Sequence, residues 1–405
     1  MLSPERTAEY ADAETAFFDE ITNAVLVDMV RRIKTALRVT DTAKWDAARA
    51  KALGASDQFM VQQLNQISGI TPQVAALFAQ AMLESDANEQ RDYAAAGQAY
   101  TPLGSSTAAQ QLVNSGYRRT MNTLYNLTQT RALMGNDNLP ATAQAQLARQ
   151  LDLGHQKITS GVFDYDGAIR AAINSLAQEG LQAITYPSGH TDTLEVVVRR
   201  AMLTGINQTA GDISLHNAQT LGVDIMELSA HAGARVGDGN DNFTNHSWWQ
   251  GKLVSLSGQP GYLTLDDIGY GEVRGFQGAN CRHNWHPFWP GISVRNYTQK
   301  RLDEINSQTV RYKNQDIPLW KANEMQRAKE RKIRRCKRAY LLSRESTSRS
   351  DKTAAAAKLK AARDDLKDFL QQTGLKSFQL QETVAGFSRS EASSALWAAR
   401  RQAIT

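Results

Sequence analysis

Eleven of the 27 glycines in this 405-residue chain fall between Gly233 and Gly291, and no stable helix runs through that density. Each glycine in a helix interior costs about 1 kcal/mol relative to alanine, because its backbone has the most freedom to lose. The same stretch holds Trp248, Trp249, Tyr262, Tyr270, Phe276, Trp285, Phe288 and Trp289. Glycine and aromatic residues together predict a loop-built module, with rings packed where the backbone comes close. Short strands are expected in LGVDIMELSAHAGAR, LVSLSG and YLTL. Residues 223–300 are therefore read as a small α+β module with little helix.

The flanking sequence has a different period. Ser3 and Pro4 fit an N-cap and first helical position, and Phe17 or Phe18, Ile21, Val25, Met29, Ile33 and Leu37 recur at helical spacing. Asp41 is expected to cap a short helix closed by Gly54. Asp57 starts another that ends at Gly69, and Thr71–Pro72 opens the next. Ser105 or Ser106 begins a helix to about Leu133, with a break at Asn136 to Pro140. Helical patterns return at 141–151, 164–179 and 192–219, separated by Gly154, Gly180 and a turn at 186–190. After Asp303 the chain is helical again, with a polar linker at 343–353 and a helix over 353–374 capped by glycine. The fold class expected is α+β and predominantly α-helical. It divides into a helical domain at 1–222, the module at 223–300 and a basic helical region at 301–405.

The net charge of +5 is unevenly spread. Residues 1–200 carry 17 basic and 21 acidic side chains, residues 201–300 carry 6 and 8, and residues 301–405 carry 23 and 12. Within the last region, Arg327, Lys329, Arg331, Lys332, Arg334, Arg335, Lys337, Arg338 and Arg344 face only Glu330 as an internal counter-charge. Such a run is either a solvated helix face or a footprint for an acidic partner. The residues taken as the contact are Arg327, Arg331, Arg334, Arg335, Lys337 and Arg338. A hydrophobic fraction of 41% excludes a wholly disordered chain. No apolar run approaches the roughly 18 residues of a membrane helix, and the acidic N-terminus is unlike a Sec signal, so a soluble protein without membrane contact is expected. Two distant cysteines, Cys281 and Cys336, argue against a disulfide framework and for a reducing compartment.

Four of the seven histidines, His231, His246, His283 and His286, lie in the module. Cys281, His283 and His286 form C-x-H-x-x-H, which offers soft and borderline ligands that His231 or His246 would complete to a zinc set. Against this, the spacing matches no standard zinc finger, so the cofactor expectation is none, with zinc as the alternative. The same residues equally serve by bonding loop backbone and packing on tryptophan. An enzymatic reading assigns acid–base or phosphate chemistry to His231, His246 and His283 with Arg235, supported by Glu227 and Arg282. No nucleophile elbow, P-loop or Asp/Glu metal cluster accompanies them.

The run YPSGHTDTLEVVVRRAMLTGINQTAGDISLHNAQTLGVDIMELSAHAGAR, then HSWWQGK, then GYGEVRGFQGANCRHNWHPFWPGIS, resembles the phage minor capsid protein 2 family, which is related to the phage Mu protein F-like head proteins. The resemblance covers roughly residues 160–345 and extends weakly over the N-terminal helices and QRAKERKIRRCKR. The matching positions are Ser229, His231, Ala234, Arg235, His246, Trp249, Gln250, Gly251, Asn280, Cys281, His283, Pro287, Pro290 and Gly291. The resemblance implies a structural virion component in several copies per head, assembled in the host cytoplasm, with the portal, other capsid proteins and packaged double-stranded DNA as partners. The alternatives are a nuclease- or transferase-like effector injected with the genome, or a zinc-stabilised binding module. One departure is VGDGNDNFTN, which lengthens the connection from Arg235 to His246. It leaves open whether His231 and His246 approach one another.

Overall fold

The computed structural model describes residues 2–129, 142–185, 189–346 and 348–402. It is 65% helical with a few small antiparallel sheets, so the predominantly helical α+β class holds. The order is α1 (Pro4–Ala36), α2 (Thr42–Asn65), α3 (Ile67–Ala95), α4 (Thr107–Gln129), α5 (Thr142–Thr159), α6 (Tyr165–Glu179), β1 (Gln182–Thr185), β2 (Thr191–Thr193) and α7 (Leu194–Thr220). Then come β3 (Ile225–Leu228), α8 (His246–Trp249), β4 (Leu253–Ser255), β5 (Trp285–Phe288), α9 (Gln299–Ser307), β6 (Thr309–Tyr312) and β7 (Gln315–Pro318). The chain ends in α10 (Leu319–Leu342), α11 (Arg349–Thr373) and α12 (Arg389–Gln402). Two compact units form: residues 1–14, 72–123 and 199–324 make the first, and residues 15–71, 124–198 and 325–405 the second.

Local signals set several helix starts. Ser3 Oγ accepts from Arg6 N (3.2 Å) at α1, Asp41 from Ala43 N (2.9 Å) before α2, and Ser106 from Ala109 N (3.2 Å) at α4. Asp164 caps α6 through Gly167 N (2.7 Å), and Gly180 closes it at φ 68°. Gly374 ends α11 in the left-handed conformation, as its position suggested.

Several expected breaks are absent. α2 runs through Gly54 and Asp57, because Trp45, Ala52, Ser56 and Met60 keep one buried stripe across them. α3 begins before Pro72, which lies inside the helix. α5 continues through Gly154, where a Cβ would come within 2.7 Å of Leu37, so the glycine serves close packing and not termination. The linker expected at 343–353 is shorter, since α11 starts at Arg349. The break at 136–140, the helix end near Leu133 and residues 186–188 of the expected turn lie outside the described residues.

In the first unit, α4 and α7 interlock through two Gly-x-x-x-Thr pairs. A Cβ on Gly116 would fall 2.0 Å from Thr209 Oγ1, and a Cβ on Gly205 would fall 2.0 Å from Thr120 Oγ1. Each threonine hydroxyl bonds back to the carbonyl of its own helix's glycine at 2.8 Å, so neither is left unpaired. The module's sheet has order β4-β3-β5, all antiparallel, with Ile225 facing Ser255 and Phe288 in the central strand. All four β3 residues are buried, so the strand is covered on both faces. YLTL makes no strand; only Leu263 bridges to Val254.

In the second unit, Phe18, Ile21, Val25, Met29 and Ile33 of α1, and Leu37 just past its end, are all buried, as their spacing required. Ile333 and Tyr340 of α10 pack with Leu359 and Leu366 of α11 and Ala395 and Ala399 of α12.

Candidate functional site

The glycine-rich loops of the first unit gather three of the candidate residues. Cys281 Sγ lies 3.8 Å from His246 Nδ1 and 3.6 Å from His283 Nδ1, and all three side chains are buried. One ligand atom from each lies within 4.8 Å of the others. The His231 ring stacks on His283 with centroids 4.4 Å apart, and His246 meets His283 edge-on at 5.3 Å. His231 and His246 therefore converge on the same imidazole despite the long connection between them.

That connection folds on itself. Asp238 accepts from Asn240 N (3.1 Å) and Asn242 Nδ2 (2.9 Å), and Asn245 Nδ2 donates to Asn240 O (3.0 Å). Asn245 then caps the short helix α8, its side chain accepting from Trp248 N at 3.2 Å, which presents His246 inward. Cys281 is delivered by a tight turn in which Gln277 and Asn280 take positive φ (57° and 59°). From α7, Asn207 Nδ2 donates to the carbonyls of Cys281 (3.3 Å) and His283 (3.0 Å). Ser229 closes the other side, accepting from Asn284 N at 2.9 Å.

The ring nitrogens are sorted by their partners. His246 Nε2 faces Arg274 O at 2.9 Å, and His283 Nε2 faces Gln250 Oε1 at 3.3 Å. The His231 backbone N–H donates to the same Gln250 oxygen (3.1 Å), which fixes the orientation of that amide. Carbonyl oxygens only accept, so both Nε2 atoms carry the proton and both Nδ1 lone pairs turn towards Cys281. Burial pushes His246 down to about 4, pushes His283 well below the usual imidazole range, and pushes the Cys281 thiol up to about 11. Around the cluster the aromatics form a continuous packing, with Trp249 against His283 (4.7 Å) and Phe276 (5.8 Å), and Phe276 against Trp285 (4.9 Å).

The remaining candidates sit elsewhere. His286 follows Trp285 on β5 and bonds Asp92 through Nδ1 at 3.1 Å, away from Cys281, because adjacent strand residues face opposite sides. Arg235 donates to the carbonyls of Arg274 (3.1 Å) and Ala279 (3.0 Å), bracing the loop that holds His246. Glu227 is buried and accepts from Arg295 Nε (2.7 Å), Asn296 N (3.0 Å) and Nδ2 (2.9 Å), and Tyr297 N (3.2 Å), so it anchors the chain leaving the module. Gly251 has φ 70°, and a Cβ there would meet Leu302 and Tyr297 at 2.8 Å. Asn207 was missed in the sequence. Its signal is an amide within the otherwise apolar run Met202, Leu203, Ile206, Ala210 and Ile213, all buried.

In the second unit the basic run occupies α10. Arg331, Lys332 and Arg335 are exposed, and Arg327 and Arg334 half-buried. Lys337 and Arg338 are buried, which removes them from the expected contact face. Arg338 pairs with Asp19 (2.8 Å) and with Glu195, and Lys337 donates to the Glu382 carbonyl. Lys329 bonds Asp365 of α11 at 2.7 Å. Glu330 is thus far from the only counter-charge, since the neighbouring elements supply the others.

The chain is thus a mainly helical α+β protein with a small buried Cys/His-centred module and a basic helix. The sequence profile of the family described as Phage minor capsid protein 2 matches residues 2–371. The chain belongs to that family. It is 24% identical over 362 residues to a protein named "Structural protein" of Lactococcus phage LL-H, covering 84% of this chain and 87% of that one. It is 34% identical over 82 residues to the "Structural protein" of Lactococcus phage mv4, covering 20% of this chain and 58% of that one. No solved structure matches. Its role is structural, as a component of the virion. Among the described residues no helix is long and apolar enough to cross a membrane.

Proposed function

We propose that this minor capsid protein meets packaged double-stranded DNA through the basic stripe of α10, and that it is seated against the portal and neighbouring capsid proteins in several copies per head, after assembly in the host cytoplasm. The supporting observation is the spacing of Arg327, Arg331, Arg334 and Arg335, which puts four guanidinium groups on one side of the helix with Arg331 and Arg335 at the surface. Partial desolvation, then the neighbouring charges of Arg334, Arg335 and Arg327, push Arg331 below its ordinary value. A polyanion relieves such crowding, each phosphate contact releasing counterions. No aromatic side chain is interleaved with the stripe, so the contact is with the DNA backbone and blind to sequence. The portal contact is supported by family membership.

The test is duplex binding by the purified chain as a function of salt. Affinity should fall steeply as salt rises, and Arg331→Gln with Arg335→Gln should weaken it; equal binding by that variant overturns the DNA contact. The enzymatic alternative draws no support from the Cys/His cluster, because Cys281, His246 and His283 are buried beyond the reach of a polymeric substrate.

A further inference from the structure

We propose that His246, Cys281 and His283 form a zinc site that locks the module's loops, with His246 and His283 coordinating through Nδ1 and Cys281 through its thiolate. The inference is independent of the DNA contact, which lies on residues of the other unit.

The argument starts from hydrogen-bond supply. Both Nε2 atoms donate to carbonyl oxygens, so the buried pocket contains two Nδ1 acceptors and one S–H donor. A single thiol proton serves one of them and leaves the other as an unsatisfied buried lone pair, a condition native interiors avoid. A divalent cation meets all three atoms at once. The thiol proton passes to solvent, one per metal bound, and the thiolate and two neutral imidazoles become ligands.

The spacing agrees. Zinc with ordinary Zn–S and Zn–N bond lengths and tetrahedral angles places S and N about 3.6 Å apart. The observed separations are 3.8 and 3.6 Å. One Cys and two His are zinc ligands by softness, and three protein groups leave a fourth position. His231 stacks on the His283 ring beside the three ligands. The surrounding shell is also that of a metal site: ligand histidines held by carbonyls through their other nitrogen, with Gln250 and the Arg274 carbonyl in that role. The ligand set differs from the C-x-H-x-x-H loop read from sequence, since His246 replaces His286.

The experiment uses the full chain stripped of metal with a chelator and titrated with zinc against a competing chromophoric chelator. One zinc per chain is expected, with release of one proton. Gln250→Leu, which removes the carbonyl behind His283, is expected to weaken zinc binding about 10- to 100-fold. His286→Ala and Cys336→Ser should bind as the parent does. Cobalt(II) substitution in the unmodified chain keeps the test independent of variant folding. A thiolate-to-cobalt charge-transfer band that is lost in Cys281→Ser but kept in Cys336→Ser supports the site. A folded chain that takes up no zinc, or a cobalt spectrum without a thiolate band, overturns it.

Discussion

Arg338 of α10 donates to Asp19 of α1 at 2.8 Å, with the two side chains only 6% and 7% exposed. Glu195 pairs with the same guanidinium, and the Ala385 N–H donates to the second Asp19 oxygen at 2.5 Å. Arg338, read from the sequence as part of the contact face, is thus an internal fastener of its unit. Arg338→Ala strands the buried carboxylate of Asp19 and the half-buried one of Glu195, and should lower unfolding free energy by about 3–5 kcal/mol in urea titrations. Where it remains folded, its DNA affinity should equal the parent's. A loss below about 1 kcal/mol would contradict the buried network.

Neutralising surface arginines should act on salt dependence and not on stability. For duplex DNA, the slope of log affinity against log salt changes by about 0.9 for each phosphate contact. Arg331→Gln with Arg335→Gln should therefore flatten the slope by about 1.8 while leaving the melting temperature within a degree or two of the parent. A weaker complex with an unchanged slope would mean that the arginines act through folding.

Lys337 gives a pH dependence of defined sign. Burial, then the charge of Arg363, pushes its amine down to about 8. Between pH 8 and the ordinary lysine value near 10.5 the unfolded chain holds the proton and the folded chain does not, so this residue makes stability rise with pH across that window. Full linkage would be about 3 kcal/mol, reduced to roughly 2 because solvent still screens the group. Lys337→Met should abolish that rise and be more stable than the parent at pH 7. Parallel stability–pH curves for the two chains would refute the assignment.

The interlocked helices of the first unit leave no space for a methyl group. Gly205→Ala drives a Cβ into Thr120, and that threonine is held by its bond to Gly116 O. A loss of about 1–3 kcal/mol is expected from overpacking. The paired variant Gly205→Ala, Thr120→Ala should recover part of it by removing the hydroxyl that the added Cβ would meet at 2.0 Å. Thermal unfolding of both variants measures this, and no loss in the single variant would show that the helices separate freely.

Glu227 contributes as a hydrogen-bond acceptor. Glu227→Gln replaces one of its two acceptor oxygens with a donor facing Arg295 and backbone N–H groups. It should cost about 2–4 kcal/mol and speed amide exchange at Asn296 and Tyr297. Unaltered exchange there would remove its anchoring role.

Much of this was legible in one dimension. The α1 stripe from Phe18 to Leu37, the caps at Ser3, Asp41, Ser106 and Asp164 and the stop at Gly374 depend on contacts a few residues apart. Breaks assigned to Gly54 and Gly154 failed because a glycine's local cost of about 1 kcal/mol is smaller than what a buried stripe gains across it. The candidate cluster was half legible. Cys281 and His283 share a turn, but His246 comes from 35 residues away in sequence, through a loop whose path rests on its own Asp and Asn side chains.

The sequence by itself determined the helical character, the loop-built module and the concentration of positive charge after residue 300. These follow from periodicity, glycine content and charge count, which need no partner in space. Only the tertiary structure decided which histidine joins Cys281 and which basic residues reach water. Arg338 and Arg335 stand three positions apart on one helix, yet one is sealed against Asp19, 319 residues distant, and the other is exposed. Burial and ligand geometry are set by such long-range contacts, and residue type alone does not encode them.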